Sequence, residues 1–391
     1  MKQVQGLSRR VILLTHSEDP ILPQMRGALS EQFLCTIAIP LTRGRHLRFL
    51  SLSSHANNCN ISFFLVSGSV GGVLGSVLHY LEFGLRVTIY FLVRRAEYAG
   101  AVVYAVDLPA APLAWLIARG LHGRFILDYR ELYCETDYVT CKRAWEFVER
   151  VLAPKADGLV TRNRPRADYL KSKLGLDREF FILPNIPEMC SKVPESREIV
   201  ERVRSFSRGR RVVIYQGNLT KSRGVLNLVR SWSLNVGDRV LVLAGSADKR
   251  NEEEIHEAIR SMGLGSKVLY LGCLDRSTLL DITSACDVGV VIYRNSCLNN
   301  YYCAPTKLYE YLACGLPVVA PDFPGVRDLV SEANIGRLFD PEDPASIDAA
   351  IRGVLDDIQQ YRANVSSVAP RLRWDSVKCS YVAFVRGVLH G

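Results

Sequence analysis

The sequence predicts an α/β protein with two doubly wound parallel-sheet domains in tandem. Short runs rich in Val, Ile and Leu alternate with longer amphipathic stretches along most of the chain, an order typical of strand–helix units around a parallel sheet. The alternation stops near 185–208, a polar segment with prolines clustered at its start. We therefore expect domains at 1–190 and 191–370, with about six strands each. A C-terminal helix at 371–391 is expected to pack back toward the first domain.

Each predicted strand is a short apolar run, and the amphipathic stretches between the runs predict helices. The predicted strands are 11–15, 35–39, 102–106, 124–128, 158–161, 180–183, 211–216, 239–244, 267–271, 287–292, 317–320 and 335–339. The predicted helices are 109–121, 142–153, 164–174, 224–234, 250–262, 276–285, 305–313, 324–331 and 344–358. Doubly wound sheets bind ligands beyond the carboxyl ends of their strands. Two such domains are therefore expected to face each other across a cleft that holds the active site.

The composition excludes several classes of protein. Hydrophobic residues make up 48% of the 391 residues and charged residues 23%, which gives enough apolar mass for folded cores and excludes a disordered chain. The eleven cysteines include no Cys-x-x-Cys pair, a pattern typical of buried thiols and not of a disulfide framework or a zinc site. No Asp-x-Asp occurs either, so the sequence offers no sign of a metal-dependent phosphate site.

The formal net charge of +9 favours anionic partners, unless it serves solubility alone. Nucleotide phosphates and a lipid surface are the two partners of this kind that fit the rest of the sequence. Nucleic acid is not expected, because no RNA-binding signature with interleaved aromatic residues accompanies the charge.

One region raises the question of a membrane. Residues 32–81 contain no Asp or Glu but include Arg43, Arg45 and Arg48. Within this region, 61–81 is uncharged and about as long as a membrane span, although its four glycines and four serines favour a buried or surface-docked segment over a membrane-inserted one. We expect a cytoplasmic protein without a secretory signal, and peripheral contact with an anionic membrane at its inner face is one hypothesis.

The segment Tyr215–Val225 (YQGNLTKSRGV) is the first motif with chemical content. A glycine-containing turn follows a predicted strand and leads into a helix near Gly224, where backbone N–H groups can face an anion. Lys221 and Arg223 bring positive charge to the same turn. Taken alone, the segment is a weak signal, and an ordinary strand-to-helix turn explains it better than a phosphate site.

The segment Ala304–Ala320 (APTKLYEYLACGLPVVA) is a stronger signal. Pro305 suits the first turn of a helix, and Gly315 suits its end. Lys307 and Glu310 are three residues apart and share a helix face. A carboxylate there can accept hydrogen bonds from ribose hydroxyls while the helix start and the lysine hold phosphates. A surface ion pair between the two side chains is an equal alternative.

Taken together and in this order, the motifs resemble a family 4 glycosyltransferase, a retaining enzyme of the GT-B fold. The resemblance covers most of 100–355. The segments that carry it are FILDYRELY, WEFVERVLAPKADGLVTRNRPRADYL, ILPNIPE, YQGNLTKSRG, VLVLAGSADK, KVLYLGCLDRSTLLDITSACDVGVVIY and PTKLYEYLACGLPVVAPDFPGVRDLV. It implies two Rossmann-like domains: an acceptor-side domain at 1–190 and a domain at 191–370 that binds a nucleotide-sugar donor.

The resemblance also implies roles for individual residues. Those that would bind the donor, with Glu310 on its ribose, are Gly217, Asn218, Lys221, Arg223, Gly272, Thr306, Lys307 and Glu310. Those on the acceptor side would be Asp107, Arg130 and Glu131. Those expected to take part in catalysis are Arg223, Lys307 and Asp107.

The implied reaction moves a sugar from a UDP- or GDP-linked donor to an acceptor hydroxyl with retention, without a cofactor or a metal ion. The acceptor would be a glycan, a lipid-linked molecule or a small molecule. Arg223 and Lys307 would stabilise the negative charge that develops on the departing diphosphate. An oxygen of that diphosphate would take the proton of the acceptor.

Three departures from the family pattern keep other functions open. Tyr302 stands where the family has the first glutamate of a pair, and Asn218 stands where it has an arginine in the phosphate turn. Histidines common in its first domain are replaced by Tyr104, Val106 and Arg130. A non-catalytic sugar-nucleotide-binding protein and an epimerase or phosphorylase of the same fold are the alternatives. A nicotinamide oxidoreductase ranks last, because no Gly-x-Gly-x-x-Gly follows a predicted strand.

Overall fold

A computed structural model of the protein describes residues 10–15, 22–41, 58–64, 72–187, 197–234 and 237–391. The chain divides into two compact units. The first unit comprises Met1–Pro184 and Val377–Gly391, and the second comprises Asn185–Ser376. The boundaries expected from the sequence, 190 and 370, lie a few residues away from these divisions.

The first unit alternates strands and helices around one parallel sheet. Its elements in chain order are β1 (Arg10–Thr15), α1 (Leu22–Ser30), β2 (Leu34–Leu41), β3 (Asn58–Phe64), α2 (Gly72–Val93), α3 (Arg95–Tyr98), β4 (Val102–Val106), α4 (Ala111–Gly120), β5 (Arg124–Tyr129), α5 (Lys142–Leu152), β6 (Gly158–Thr161), α6 (Arg164–Leu174) and β7 (Phe181–Ile182). The sheet order is β3-β2-β1-β4-β5-β6-β7, and every pairing is parallel. The order therefore reverses between β1 and β4.

The second unit repeats this plan. Its elements are α7 (Arg197–Ser207), β8 (Arg211–Gln216), α8 (Val225–Ser231), β9 (Arg239–Ala244), α9 (Lys249–Ser261), β10 (Val268–Gly272), α10 (Arg276–Ser284), β11 (Val288–Val290), α11 (Leu298–Tyr301), α12 (Thr306–Ala313), β12 (Val318–Pro321), α13 (Pro324–Glu332), β13 (Gly336–Phe339), α14 (Pro344–Asp356) and α15 (Ile358–Val368), and α16 (Trp374–His390) closes the chain. The sheet order is β10-β9-β8-β11-β12-β13, again parallel throughout.

The second sheet carries a hydrophobic core on each face, as a doubly wound sheet must. Along β8, Val213 and Tyr215 belong to one core cluster, whereas Val212 and Ile214 belong to the other. This alternation follows from the two-residue period of a strand. Because both faces are covered by helices, ligands can reach the sheet only at its strand ends.

Most of α16 belongs to the first unit. The ring of Phe384 stacks on Phe181 of β7 at a centroid distance of 4.7 Å. A Cβ atom at Gly158, the first residue of β6, would lie 2.8 Å from the same Phe384 ring, so the glycine makes room for the helix. Tyr381 is fully buried beside Tyr104 of β4.

The structure differs from the sequence prediction in several places, and it adds the helices α1, α3, α11 and α15, which the sequence did not predict. The first sheet has seven strands, because β3 joins its edge. Residues 197–207, expected to interrupt the alternation, form α7. Its Val200 and Val203 are buried in the hydrophobic core, although charged residues flank them in the sequence. The uncharged stretch 61–81 is the end of β3, a segment outside the described residues, and the start of α2. Arg43, Arg45 and Arg48 also lie outside the described residues. Among the described helices, none is both long and apolar enough to cross a membrane.

Candidate functional site

The order of the second sheet reverses between β8 and β11, which is where doubly wound sheets bind ligands. Glycines terminate three neighbouring strands at this edge: Gly217 follows β8, Gly245 follows β9 and Gly272 ends β10. The N–H of Gly217 donates to the carbonyl of Ala244 at 2.9 Å, and the N–H of Gly245 donates to the carbonyl of Gly272 at 2.7 Å. A Cβ atom at Gly245 would lie 1.7 Å from the carbonyl oxygen of Gly217. This edge therefore requires glycine and exposes bare backbone to a ligand.

The turn after β8 is fixed by hydrogen bonds to the loop and helix that follow β9. The N–H of Leu219 donates to the carbonyl of Ser246 at 2.8 Å, and the Ser246 hydroxyl donates to Oδ1 of Asn218 at 3.0 Å. The N–H of Lys221 donates to Oδ1 of Asn251 at 3.0 Å, while the Lys221 side chain is exposed. Asn218 therefore supports the turn, and Lys221 is a cation at its rim.

Arg223 closes a short 3₁₀ turn and extends toward β11. Its guanidinium carbon lies 4.5 Å from the ring centroid of Tyr293, and Nη1 donates to Oδ1 of Asn300 at 3.4 Å. Tyr293 comes three residues after the end of β11. Gly224 adopts φ 79° and so turns the chain from Arg223 into α8. The arginine is thereby held by stacking and a neutral amide at the point where the strand order reverses.

Lys307 reaches the same point from another element. Thr306 begins α12 directly after Pro305, and Lys307 lies in the first turn. Its Nζ lies 4.0 Å from the ring centroid of Tyr215, and a Cβ atom at Gly217 would come within 3.0 Å of it. The two motifs singled out in the sequence, separated by some eighty residues, are therefore in contact through this lysine.

The charge of Lys307 is poised near neutral pH. Burial, together with the nearby Arg223, lowers the pKa of its ammonium to about 7, whereas Glu310 opposes the shift. A second cation beside an enclosed ammonium is unfavourable unless an anion joins them. The arrangement of Lys307 and Arg223 is therefore suited to receiving a negatively charged ligand.

The Glu310 carboxylate is held by Gln216 and Arg276. Gln216, the last residue of β8, donates from Nε2 to one carboxylate oxygen at 2.5 Å. Nη2 of Arg276 lies 3.3 Å from the other oxygen. Among the described residues, Arg276 rather than Lys307 is the ion-pair partner, so the surface pair considered from the sequence does not form. The carboxylate is only partly buried and keeps acceptor capacity for hydroxyl groups.

In the first unit, Asp107 also lies at a strand end beside the reversal of the strand order. It follows β4, next to the reversal between β1 and β4, and adopts φ 67°. Its Oδ1 accepts the backbone N–H groups of Arg130 and Glu131 at 2.9 and 3.0 Å. Burial and the neighbouring Glu131 raise the pKa of its carboxyl to about 8. The three acceptor-side residues expected from the sequence therefore come together.

The other two members of this cluster differ from each other in exposure. Arg130 is buried, its Nη2 lies 3.1 Å from the sulfur of Met25, and burial lowers its pKa well below the usual value. Glu131 is partly exposed and accepts a hydrogen bond from the hydroxyl of Tyr138, which is itself largely exposed. Of the pair, Glu131 is the one placed to meet a ligand.

Sequence reasoning missed several residues around the donor-side cluster. Gln216 and Arg276 fix Glu310, Tyr215 and Tyr293 flank the two cations, and Gly245 completes the glycine edge. A signal was present for the glycine, because it follows an apolar run, as Gly217 does. Nothing in the local sequence marks the other four, since their roles arise from pairings across the sheet.

The second unit contains the part of the chain that matches a known protein family. Residues 196–370 match the family model for glycosyl transferases group 1. The chain is 26% identical over 231 residues to the 2-deoxystreptamine N-acetyl-D-glucosaminyltransferase of Streptomyces fradiae, which covers 57% of this chain and 53% of that protein. It is 24% identical over 252 residues to a D-inositol 3-phosphate glycosyltransferase of Geodermatophilus obscurus, with 62% and 55% covered. The chain thus spans about half the length of the curated relatives it matches.

Solved structures match nearly the whole chain. The sucrose-phosphate synthase of Thermosynechococcus elongatus superposes with a TM-score of 0.75 at 16% identity, covering 98% of this chain and 99% of that one. HepE of Anabaena, solved in complex with UDP and glucose, gives a TM-score of 0.74 at 16% identity and covers 97% and 99%. The GT-B fold class expected from the sequence is therefore confirmed.

Proposed function

We propose that this protein is a glycosyltransferase that takes a sugar from a nucleotide-diphosphate donor and passes it to an acceptor hydroxyl. The observation that carries the proposal is the meeting of Lys307, Arg223 and the bare backbone at Gly217 beside Glu310. Cations and backbone suit a diphosphate, and the carboxylate suits the hydroxyls of a ribose. The family match over 196–370 and the activities named for the curated relatives support the same class of reaction.

In the proposed mechanism, the diphosphate lies across Gly217 with one phosphate against Lys307 and Arg223. Bond cleavage moves negative charge onto the phosphate that leaves. Tyrosine rings already hold the two cations in place, so the cations stabilise that charge with little rearrangement. Preorganised electrostatic stabilisation of this kind is usually the largest contribution to catalysis. Lys221 at the rim and Thr306 at the start of α12 complete the donor side, and Gly272 lies two strands away, beyond Gly245.

We further propose that the transfer retains the anomeric configuration and needs neither a metal ion nor a cofactor. The acceptor hydroxyl approaches on the face from which the diphosphate leaves, so an oxygen of the leaving group takes its proton and no protein base is needed. The two cations would do the work of a divalent metal ion. Proton NMR of the product tests retention, and turnover unchanged by a chelator tests metal independence.

Donor binding and donor breakdown test the proposal directly. UDP, GDP and their sugar conjugates are screened by thermal shift, because a ligand that binds the native state raises the melting temperature. Release of free UDP or GDP from the stabilising sugar conjugate is then measured. Stabilisation by one diphosphate sugar together with slow hydrolysis is the expected result. Failure of every diphosphate to bind overturns the proposal.

A non-catalytic sugar-nucleotide-binding protein is the second candidate. Tyr302 favours it, because this tyrosine stands where the resembled family has the first glutamate of its pair. The same screen separates the candidates. Tight donor binding with no hydrolysis and no transfer to any offered acceptor would indicate the non-catalytic binding protein. Isomerisation of the donor sugar would indicate an epimerase.

A further inference from the structure

The long helix α2 carries an exposed apolar stripe. Its inner face is buried, with Phe83, Val87 and Phe91 at most 4% exposed. Every fourth residue on the outer face is apolar and exposed: Leu81 (59%), Leu85 (63%), Ile89 (51%) and Val93 (76%). Residues four apart lie on one helix face, so these side chains form a line about 18 Å long.

The neighbouring helix α4 broadens this stripe. A Cβ atom at Gly84 would lie 2.7 Å from Leu113 of α4, and one at Gly120 would lie 2.4 Å from Leu92 of α2. Leu113 and Gly120 thus mark the face of α4 that packs on α2. Leu116 lies on that same face, three residues from Leu113, and is 50% exposed. It therefore extends the apolar surface sideways.

Three arginines cluster at one end of the surface. Arg94 and Arg95 directly follow the last residue of α2, and Arg119 precedes the glycine that Leu92 contacts. All three are exposed, and none has a carboxylate partner within the described part of the chain. The nearby acids are already paired, since Glu82 lies 2.8 Å from Arg86 and Glu97 lies 3.1 Å from Arg10. The end of the stripe is therefore a site of uncompensated positive charge.

We propose that the α2–α4 surface docks on an anionic lipid bilayer. The apolar stripe would enter the boundary between headgroups and acyl chains, and Arg94, Arg95 and Arg119 would meet lipid phosphates. An apolar line with cations at its end complements such a surface. A second copy of the chain would bring the same uncompensated cations and the same net charge of +9, so it complements the surface less well. Since no described helix can span a bilayer, the docking is in the plane of the interface.

Vesicle flotation of the full chain tests the proposal. Vesicles of phosphatidylcholine alone are compared with vesicles containing about one third phosphatidylglycerol. We expect binding to the anionic vesicles that weakens as salt is raised. Leu85→Gln with Ile89→Gln should lower the partition coefficient about tenfold or more, because two side chains no longer enter the acyl boundary. Arg94→Gln with Arg119→Gln should lower it several-fold and reduce the salt dependence.

Matched controls lie in the second unit. Leu234 is as exposed as Ile89, so Leu234→Gln controls for loss of an exposed apolar side chain. Arg202 and Arg371 are exposed, so changing both to Gln controls for the loss of two charges. Binding equal for both vesicle types, or unchanged in the α2 variants, overturns the proposal. A concentration-dependent dimer abolished by Leu85→Gln also overturns it in favour of a second copy. An unchanged thermal shift with the donor shows that each variant is folded.

Discussion

Both units place charged residues beside the point where the strand order reverses, and they use them differently. In each sheet, the strand order reverses beside a strand whose end carries the candidate residues: β8 in the second unit and β4 in the first. At β8, Lys307 and Arg223 face tyrosine rings and lie near each other. At β4, Asp107 accepts two backbone N–H groups from the loop that follows β5 and so holds that loop in place. The same topology thus produces a charged site in one unit and a braced loop in the other.

The difference extends to the residues beneath the two sites. In the first unit, Asp128 and Arg162 form a fully buried ion pair at 2.7 Å, and Tyr104 donates to the same carboxylate at 3.0 Å. Each charge of such a pair faces an opposite charge within the protein. In the second unit, Lys307 and Arg223 lie close together, and burial disfavours the charged form of Lys307. Two neighbouring cations favour the binding of an anion.

Removing a donor-side cation should have the largest effect. We expect Arg223→Ala to lower turnover about 10²-fold or more, because one of the groups that meets the leaving charge is lost. Steady-state hydrolysis of the preferred nucleotide sugar measures this. Arg230→Ala is the matched control, since Arg230 is exposed on α8 and its Nη1 donates to the side chain of Asn227. Near-normal turnover of Arg223→Ala would remove this arginine from the mechanism.

The pH dependence of donor binding should come next in size. With a pKa of about 7 in the unliganded protein, Lys307 is protonated below that pH and binds a diphosphate without taking up a proton. Above it, binding must bring a proton to the lysine, so affinity should fall by up to about tenfold per pH unit until the pKa of the bound form is passed. Isothermal titration from pH 6 to 9 in buffers of different ionisation enthalpy measures both affinity and proton uptake.

Lys307→Arg is the variant that sharpens this result. An arginine stays charged throughout the range, so affinity should become independent of pH and proton uptake should vanish. The wild-type protein showing a flat affinity profile over the same range would contradict the assignment of Lys307 to the diphosphate.

A smaller effect is expected from Glu310→Gln. The substitution removes the charge that Arg276 faces and weakens the acceptor offered to ribose hydroxyls, so donor affinity should fall about tenfold. Glu342→Gln is the control, because Glu342 pairs with Arg294 at 2.9 Å on the surface of the same unit. Equal losses in the two variants would show that Glu310 acts only through stability.

The sequence predicted most of the second unit because its signals are local. Apolar runs gave β8, β9 and β13 nearly to the residue, and Gly217, Lys307 and Glu310 stood in recognisable turns. The structure adds the pairings that join them, such as Gln216 with Glu310 and Tyr293 with Arg223. These join residues tens of positions apart, which no local pattern records.

The first hundred residues were harder to predict for a different reason. The apolar residues of α2 surround the helix, with Phe83 and Val87 inside and Leu85 and Ile89 outside. Apolar side chains on both faces weaken the 3.6-residue period by which an amphipathic helix is recognised. The exposed stripe of the α2–α4 surface is therefore one reason why the sequence predicted no helix over 82–93.

The smallest expected effect concerns Asp107, and it tests the braced-loop side of the comparison. Because the pKa of its carboxyl is raised from 3.8 to about 8, the folded state holds a proton that the unfolded state releases between pH 4 and 8. This group therefore makes stability fall as pH rises through that window. Asp107→Asn keeps the acceptor oxygen and needs no proton. Its free energy of unfolding should therefore match that of the wild type below pH 4, exceed it at pH 7, and lack this part of the pH slope.

Asp107→Ala provides the contrast. It leaves the N–H groups of Arg130 and Glu131 without their acceptor, which should make it about 1–3 kcal/mol less stable than Asp107→Asn in urea titrations. Equal stability of the Ala and Asn variants would show that Asp107 does not brace the loop. Turnover measured on the same two proteins separates bracing from chemistry. If Asp107→Asn is at least as stable as the wild type but loses turnover, then the carboxyl acts on the substrate, and the first unit contributes to catalysis through this residue.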